Sequence, residues 1–375
     1  MNVQVVTVRT KADMKEFIKL SYKIYKDCKD WVPPLNRDIL GTISPFKLPD
    51  TEKFEREVFL AFSDGKPVGR IYTGIDKNLN RIKNEAMGHF SFFECINNAE
   101  VSKALFEAAF TWFKERGIKC IRGPVSATGA DGDEYKGLLI DSFNSPPTIM
   151  NSYNHDYYRG LIENSGFVKD YDLFAYSLDT NNIFSDKPQK TIEYAKKRYD
   201  FRVDSLNLKN MDSEVLALKH VLDLAVPADW PDLVAPTTED VRELAEKLIP
   251  VADPDLIAIA RSGDEAIGFG IALPDYNQVL IHLKGRITPL AALKYLWYKS
   301  RIKHVRFLIM FVIPEFRMKG VSYAIYYNVF NNAIKKGYMT GEGSTIGEDN
   351  IQMRNDIESF GGVKNKTYRV FKIEF

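Results

Sequence analysis

The stretch 305–336, VRFLIMFVIPEFRMKGVSYAIYYNVFNNAIKK, decides how this chain reads. Its apolar run to Val312 suits a central strand and is too short to span a bilayer. Pro314 has no N–H to give a ladder and stops the strand. Arg317-Met318-Lys319-Gly320 follows as a short turn, and from Val321 apolar residues return at helical spacing as far as Lys336. Strand, glycine-bearing turn and helix N-terminus together make an anion site. Backbone N–H groups and the positive end of the helix dipole converge on one place, and Gly320 lets an anion approach the backbone. Arg317 and Lys319 would add charge-assisted contacts, and Ser322 is too small to obstruct. As a bare pattern, a solvated turn is the equal alternative.

Working outward, the surroundings of this stretch occur twice. Residues 58–71, VFLAFSDGKPVGRI, read as strand, Asp-Gly turn, strand, and 256–271, LIAIARSGDEAIGFGI, repeat the design. Gly69 and Gly268 lie 199 residues apart. A helix ending at Gly117 precedes a strand, and a helix ending at Gly337 precedes another, each glycine reading as a left-handed cap. Gly166 and Gly361 then introduce a long last strand in each half. The chain therefore reads as mixed α/β: two copies of one unit, 1–180 and 188–375, with a turn-rich boundary near 178–187. In the first copy a capping box at Thr10–Asp13 opens a helix, a Pro-rich loop follows, and 98–116 is a second helix. In the second, helices are expected near 190–199, 212–225 and 238–249.

Composition narrows the functional classes. The 375 residues are 45% hydrophobic, ample for two cores, and 51 basic against 50 acidic side chains leave a net charge of +1. A protein that coats nucleic acid needs a basic excess, so no nucleic-acid partner is expected. The three cysteines are too widely spaced for a disulfide framework or a CxxC metal site. The five histidines never fall at i, i+4, so no metal site is expected. There is no G-x-S-x-G elbow and no G-x-x-x-x-G-K-[ST] loop. The N-terminus, MNVQVVTVRT, lacks the basic and apolar segments of a signal peptide, which predicts a reducing, cytoplasmic location.

The run 312–322, VIPEFRMKGVS, resembles motif A of the GCN5-related N-acetyltransferase (GNAT) superfamily, [QR]-x-x-G-x-[GA] after a strand ending near a proline. Asn350, followed by Met353, Glu358 and Gly361, resembles the motif B that comes after it. The two-copy layout and Trp31-Val32-Pro33-Pro34 are similar to uncharacterised bacterial tandem GNAT proteins. The resemblance implies an N-acyltransferase that uses acetyl-CoA or another acyl-CoA and acts on a small-molecule or peptide amine. It assigns the pyrophosphate to Arg317, Met318, Lys319, Gly320, Val321 and Ser322. It further gives pantetheine to the backbone of Met310, Phe311 and Val312, with Asn350 beside it.

Three positions depart from the family pattern. Ser322 stands where Gly or Ala is usual, Ile357 occupies the place of the tyrosine that protonates the thiolate, and 304–312 holds no carboxylate. Glu342 is the candidate base and Tyr368 the candidate acid, with Tyr323 as a further possibility. The first copy has Cys95-Ile96-Asn97-Asn98-Ala99-Glu100 where the phosphate turn would be, and is expected to bind no CoA. Two alternatives stay open: a CoA-binding sensor without chemistry, and a FemX-like transferase using aminoacyl-tRNA. The helix after Thr288-Pro289 is expected to pack into a core with a solvated basic end, so no membrane partner is expected. The carboxylates Asp131, Asp133 and Glu134 read as a solvated loop.

Overall fold

The computed structural model describes residues 2–43, 52–126, 136–179, 187–228, 230 and 233–375. The loop carrying Asp131, Asp133 and Glu134, and most of the expected boundary, lie outside the described residues. In chain order the first half runs β1 (Val3–Thr7), α1 (Lys11–Ile24), α2 (Asn36–Ile43), β2 (Phe54–Ser63), β3 (Lys66–Asp76) and α3 (Lys77–Lys83). It continues through β4 (Met87–Cys95), α4 (Ala99–Lys114), β5 (Cys120–Gly123), β6 (Leu138–Leu139), α5 (Tyr158–Glu163) and β7 (Val168–Asp179). The second half runs α6 (Lys187–Tyr199), β8 (Arg202–Ser205), α7 (Met211–Ala225), α8 (Thr238–Leu248), β9 (Ile257–Ser262) and β10 (Glu265–Pro274). It ends with α9 (Asn277–Leu283), α10 (Pro289–Lys299), β11 (His304–Val312), α11 (Val321–Lys335), β12 (Thr340–Gly347), α12 (Ile351–Ser359) and β13 (Val363–Glu374).

Two compact units form. Unit 1 comprises Met1–Phe174, Tyr276–Ser300 and Lys366–Phe375; unit 2 comprises Ala175–Asp275 and Arg301–Asn365. The division expected at 180/188 would give α9, α10 and all of β13 to the second copy, whereas most of their residues pack with the first. For β13 strand pairing is the cause: it runs antiparallel to β5, from Phe371↔Gly123 to Glu374↔Cys120, a partnership that sequence proximity does not announce.

The same ladder occurs in both units. Unit 1 orders β1-β2-β3-β4-β5 with antiparallel pairs except the parallel β4–β5, and unit 2 orders β8-β9-β10-β11-β12 with only β11–β12 parallel. Each parallel pair is joined through a helix, α4 or α11, as a crossover requires. Both faces of unit 1's sheet are covered. Val58 and Leu60 of β2 join Phe17, Ile18 and Ile39 on one side, and the alternate Phe59 and Ala61 join Leu105, Phe106 and Phe113 on the other. Gly69 and Gly268 are equivalent in structure as in sequence. A Cβ on Gly69 would lie 2.7 Å from Leu105 of α4, and one on Gly268 would lie 2.9 Å from the Phe311 carbonyl and 3.3 Å from Ile325 of α11.

The capping box at Thr10–Asp13, the left-handed Gly117 and Gly337, and the Asp64-Gly65 turn, with φ of 49° and 70°, all form as the sequence predicts. The segment read as a Pro-rich loop contains α2. The larger difference is α10, expected to be core-packed: Leu290, Leu293, Leu296 and Trp297 are 64%, 65%, 67% and 53% exposed, and only Ala291 is buried.

Candidate functional site

In unit 2, β11 is fully engaged on one edge, pairing Gly268↔Val312, Phe269↔Phe311 and Gly270↔Met310 with β10. On its other edge the ladder to β12 runs from His304↔Thr340 to Phe307↔Gly343 and goes no further, although both strands continue. The backbone of Met310, Phe311 and Val312 thus borders an opening between diverging strands. A strand edge of this kind accepts an extended amide-bearing chain as if it were another strand.

Immediately beyond it, a single helical turn at Pro314–Phe316 leads through Arg317 to Met318 and Gly320, both left-handed, with φ of 59° and 80°. Gly320 is the N-cap of α11 and contributes no side-chain cap. Ala324 N–H makes the first bond back to the Gly320 carbonyl at 3.0 Å, so Val321, Ser322 and Tyr323 precede the regular helix ladder. Such unladdered N–H groups at a helix start are the donors that an anion site requires. Lys319 holds its ammonium 4.7 Å from the Phe316 ring centre and 5.7 Å from that of Tyr199. Arg317 takes a different part from the phosphate clamp expected of it. Its guanidinium donates to the Val312 carbonyl at 3.2 Å and to the Ala225 carbonyl at 3.1 Å, fastening the turn to the C-terminus of α7. Asp356 is an acidic group beside the turn: it accepts from Ser322 Oγ at 3.4 Å, and burial raises its pKa. Asn350 caps α12, accepting from Met353 N–H at 3.1 Å. Ile357 is buried, and a side chain on Gly343 would collide with it.

Glu342 lies on β12 between Gly341 and Gly343. It is buried, faces Arg306 in register, and accepts from Ser344 Oγ at 2.8 Å, while Arg306 Nε donates to that same Oγ at 3.0 Å. Tyr368 is fully buried on β13 opposite Leu139. Glu342 belongs to unit 2 and Tyr368 to unit 1.

Unit 1 holds a group that the sequence reading passed over. On β4, Glu94 lies opposite Arg70 of β3 at the position where unit 2 places Phe311 opposite Phe269. Glu94 Oε2 accepts from Tyr158 Oη at 2.6 Å, and Arg70 Nη2 approaches Glu94 Oε1 at 3.5 Å. Arg70 is held by the Phe17 carbonyl at 2.6 Å. The Tyr25 ring lies between Trp31 and His155, stacked at 4.9 and 4.8 Å. Burial pushes the Glu94 carboxyl above the ordinary 4.5, with Arg70 opposing the shift, and burial beside Glu94 raises Tyr158 and Tyr25 far above the ordinary tyrosine range. Glu94 and Arg70 face a cavity of ≈ 170 Å³ also lined by Tyr25, Trp31, Phe92 and Asn154. Its volume falls below the roughly 300–1,000 Å³ of pockets that enclose drug-sized ligands, so it suits a small polar group. The signal was present in the sequence as a carboxylate in the apolar run MGHFSFFEC and an arginine in VGRIYTG.

At the phosphate position unit 1 is closed. Asn98 caps α4 with its own side chain, accepting from Glu100 N–H at 2.8 Å and Val101 N–H at 3.3 Å, and Glu100 sits in the first turn. Among the described residues no group of three or more His, Cys, Asp or Glu is placed to hold a metal, and no helix is long and apolar enough to cross a membrane.

No family model matches the chain. It is 29% identical to the bacterial ceramide synthase of Caulobacter vibrioides, over 99% of this chain and 97% of that protein. It is 27% identical to protein YghO of Escherichia coli, over 98% of this chain and 94% of that one. Among solved structures, a GCN5-related glucosamine N-acetyltransferase region of a fungal multi-domain β-N-acetylglucosaminidase matches 99% of this chain with a TM-score of 0.61 at 14% identity; the chain spans 38% of that protein. A tandem GNAT protein from the clavulanic acid biosynthesis pathway matches all of this chain and 98% of its own, with a TM-score of 0.59 at 10% identity. With the repeated ladder and the crossover helices, these likenesses give the chain the tandem GNAT fold.

Proposed function

We propose that the chain is an N-acyltransferase that takes its acyl group from an acyl-CoA and passes it to an amine. The observation that carries this reading is the parting of β11 from β12 next to the uncapped N-terminus of α11. In unit 2, N–H groups of the 318–322 turn would hold the pyrophosphate with Lys319 beside it, Arg317 keeping the turn in place. Pantetheine would lie along the Met310–Val312 edge with Asn350 at its flank. In unit 1, the cavity would hold a small cationic group on its own account: the Glu94 carboxylate would attract an ammonium, and burial raises its pKa above that of an ordinary glutamate. In the transfer the amine nitrogen forms the C–N bond to the thioester carbonyl, the C–S bond breaks, and the proton that the nitrogen gives up is taken by a base and passed to the departing thiolate. Glu342 is the candidate base within unit 2, favoured by its place beside the parting strands and disfavoured by its bond to Ser344.

For the acceptor class, the strongest support is the relative named a ceramide synthase, since a ceramide is an N-acylated long-chain amino alcohol. We assign this chain a long-chain amine and a long-chain acyl-CoA. The test offers acetyl-, decanoyl- and palmitoyl-CoA with a long-chain amino alcohol or a short polar amine, following free thiol and amide product by mass spectrometry. Amide should form fastest with the long-chain pair. Thiol release without amide, or no turnover with any pair, overturns the reading. Binding alone is measurable by melting, since a ligand at a hundred times its Kd adds about 2.7 kcal/mol.

A further inference from the structure

We propose that α10 is a docking surface for an anionic lipid bilayer. At 100° per residue, Leu296, Leu293, Trp297 and Leu290 fall within about 120° of arc on one side of this helix. All four are more than half exposed. Lys294 stands about 40° beyond one edge of that arc and Lys299 about 60° beyond the other, where long side chains lay their stems along apolar surface and keep their charge in water. Ile287, just ahead of the helix, is 60% exposed.

Charge selects the occupant. Between Tyr276 and Ser300 there is no Asp or Glu, and Lys284, Arg286, Lys294 and Lys299 are all exposed. In a chain of net charge +1 this is a local excess of four cations around one apolar face. A leucine and tryptophan face edged with lysines fits the headgroup boundary of an anionic bilayer, where the apolar arc enters the acyl region and the cations meet lipid phosphates. The opposite side of α10 is already occupied: Tyr298 stacks on His282 at 3.8 Å and Tyr295 on Tyr276 at 6.1 Å. The helix beneath, α9, contributes Asn277 and Leu280 to the wall of the Glu94 cavity. The proposed face is thus the outer side of a helix pair whose inner member lines the cavity, within unit 1 alone. The expectation of no membrane partner rested on a core-packed α10, which the exposed residues contradict. This proposal does not depend on which amine is acylated, or on acyl transfer itself.

The test is co-sedimentation of the full chain with phosphatidylcholine vesicles, with and without about a third phosphatidylglycerol. The wild-type chain should bind the anionic vesicles and bind the neutral ones more weakly. Leu293→Asn with Leu296→Asn should weaken binding about tenfold or more on both, because the apolar contact is lost. Lys294→Glu with Lys299→Glu should weaken it about thirtyfold on anionic vesicles alone, and added salt should imitate that loss. Both pairs lie on the surface, so circular dichroism and melting should match the parent. Equal binding by parent and variants overturns the proposal. So does absence of vesicle binding together with self-association in sedimentation velocity that the leucine pair abolishes, since the face would then seat a second copy.

Discussion

Arg70 faces Glu94 in unit 1, and at the same ladder position Phe269 faces Phe311 in unit 2, their rings 5.9 Å apart. One backbone design therefore accommodates either a desolvated ion pair or an aromatic pair. The aromatic pair is the easier solution for stability, because replacing a buried ion pair by well-packed apolar groups is often neutral or stabilising. At the start of the crossover helix the contrast reverses. Unit 1 caps α4 with Asn98, while unit 2 opens α11 on Gly320 without a side-chain cap, which costs only about a few tenths of a kcal/mol. Each half carries one unfavourable feature that the other half avoids. On the proposed reading these mark a division of work: the first copy keeps an acid and the second keeps an anion cradle.

The most direct way to break this comparison is to give Glu94 a neutral side chain. Glu94→Gln should weaken binding of a small alkylammonium to the unit 1 cavity about tenfold or more while leaving CoA binding unchanged. In the parent, that binding should decline as pH falls through a pKa above the ordinary 4.5, because the carboxylate attracts a cation only when ionised and burial holds that pKa up. A parent-like pH dependence in the variant would remove Glu94 from the cation site. Stability follows the opposite sign. A carboxyl whose pKa is raised by folding favours the folded state more in its protonated form, so its contribution falls as pH rises through the folded value. Arg70→Met should cost about 3–5 kcal/mol, since it removes the cation that compensates a buried carboxylate, and adding Glu94→Gln should recover most of that loss. Chemical denaturation of both variants checks this, and an undestabilised Arg70→Met would show the pair to be well hydrated.

The cradle in unit 2 is sharpened by Ser322→Glu. A carboxylate in the first turn of a helix is tolerated by the dipole, yet here it would occupy the place of the pyrophosphate, so affinity for CoA should fall about a hundredfold at an unchanged melting temperature. Gly320→Glu is a poorer probe than its place in the motif indicates. Gly320 has a φ of 80°, and any Cβ there would lie 3.0 Å from Ala195, so lost binding would be confounded with backbone strain. Calorimetric titration of Ser322→Glu with CoA gives the answer, and parent-like affinity would remove the turn from the site.

How far the sequence could be read follows from the range of the forces involved. The hairpin, the capping box, the glycine caps and the strand–turn–helix of 305–336 were legible because each is fixed by neighbours a few residues away. The short helices α2 and α9 were not, since eight and seven residues give too few turns for periodicity to stand out. The partnership of β13 with β5 spans some 250 residues and leaves no local mark. Glu94 was visible as a charge in an apolar strand, but its meaning required Arg70, Tyr158 and Tyr25 to be brought around it. Arg317 shows the same limit, because the carbonyl of Ala225 competes for its guanidinium from outside the motif. For α10, the pattern of leucines was plain, and only packing could tell which side of the helix is covered.

The smallest expected effect concerns the acid that remains beside the cradle. Asp356 receives the Ser322 hydroxyl at 3.4 Å near the N-terminus of α11, where its negative charge gains from the helix dipole and competes with any phosphate for the same field. Burial raises its pKa above the ordinary 3.8, so the charge is easier to neutralise than that of an exposed aspartate. Asp356→Asn keeps the shape and an acceptor for Ser322 and removes the repulsion. Affinity for CoA should rise about three- to tenfold, in keeping with about 1 kcal/mol for a charge at a helix end. The parent's affinity should also gain on the variant's as pH is lowered through the Asp356 pKa, closing the gap between them. Titrations of both proteins across that range check the direction. A variant that binds CoA no better at any pH would place Asp356 too far from the anion to be felt, and would leave the uncapped helix start and Lys319 to account for the grip.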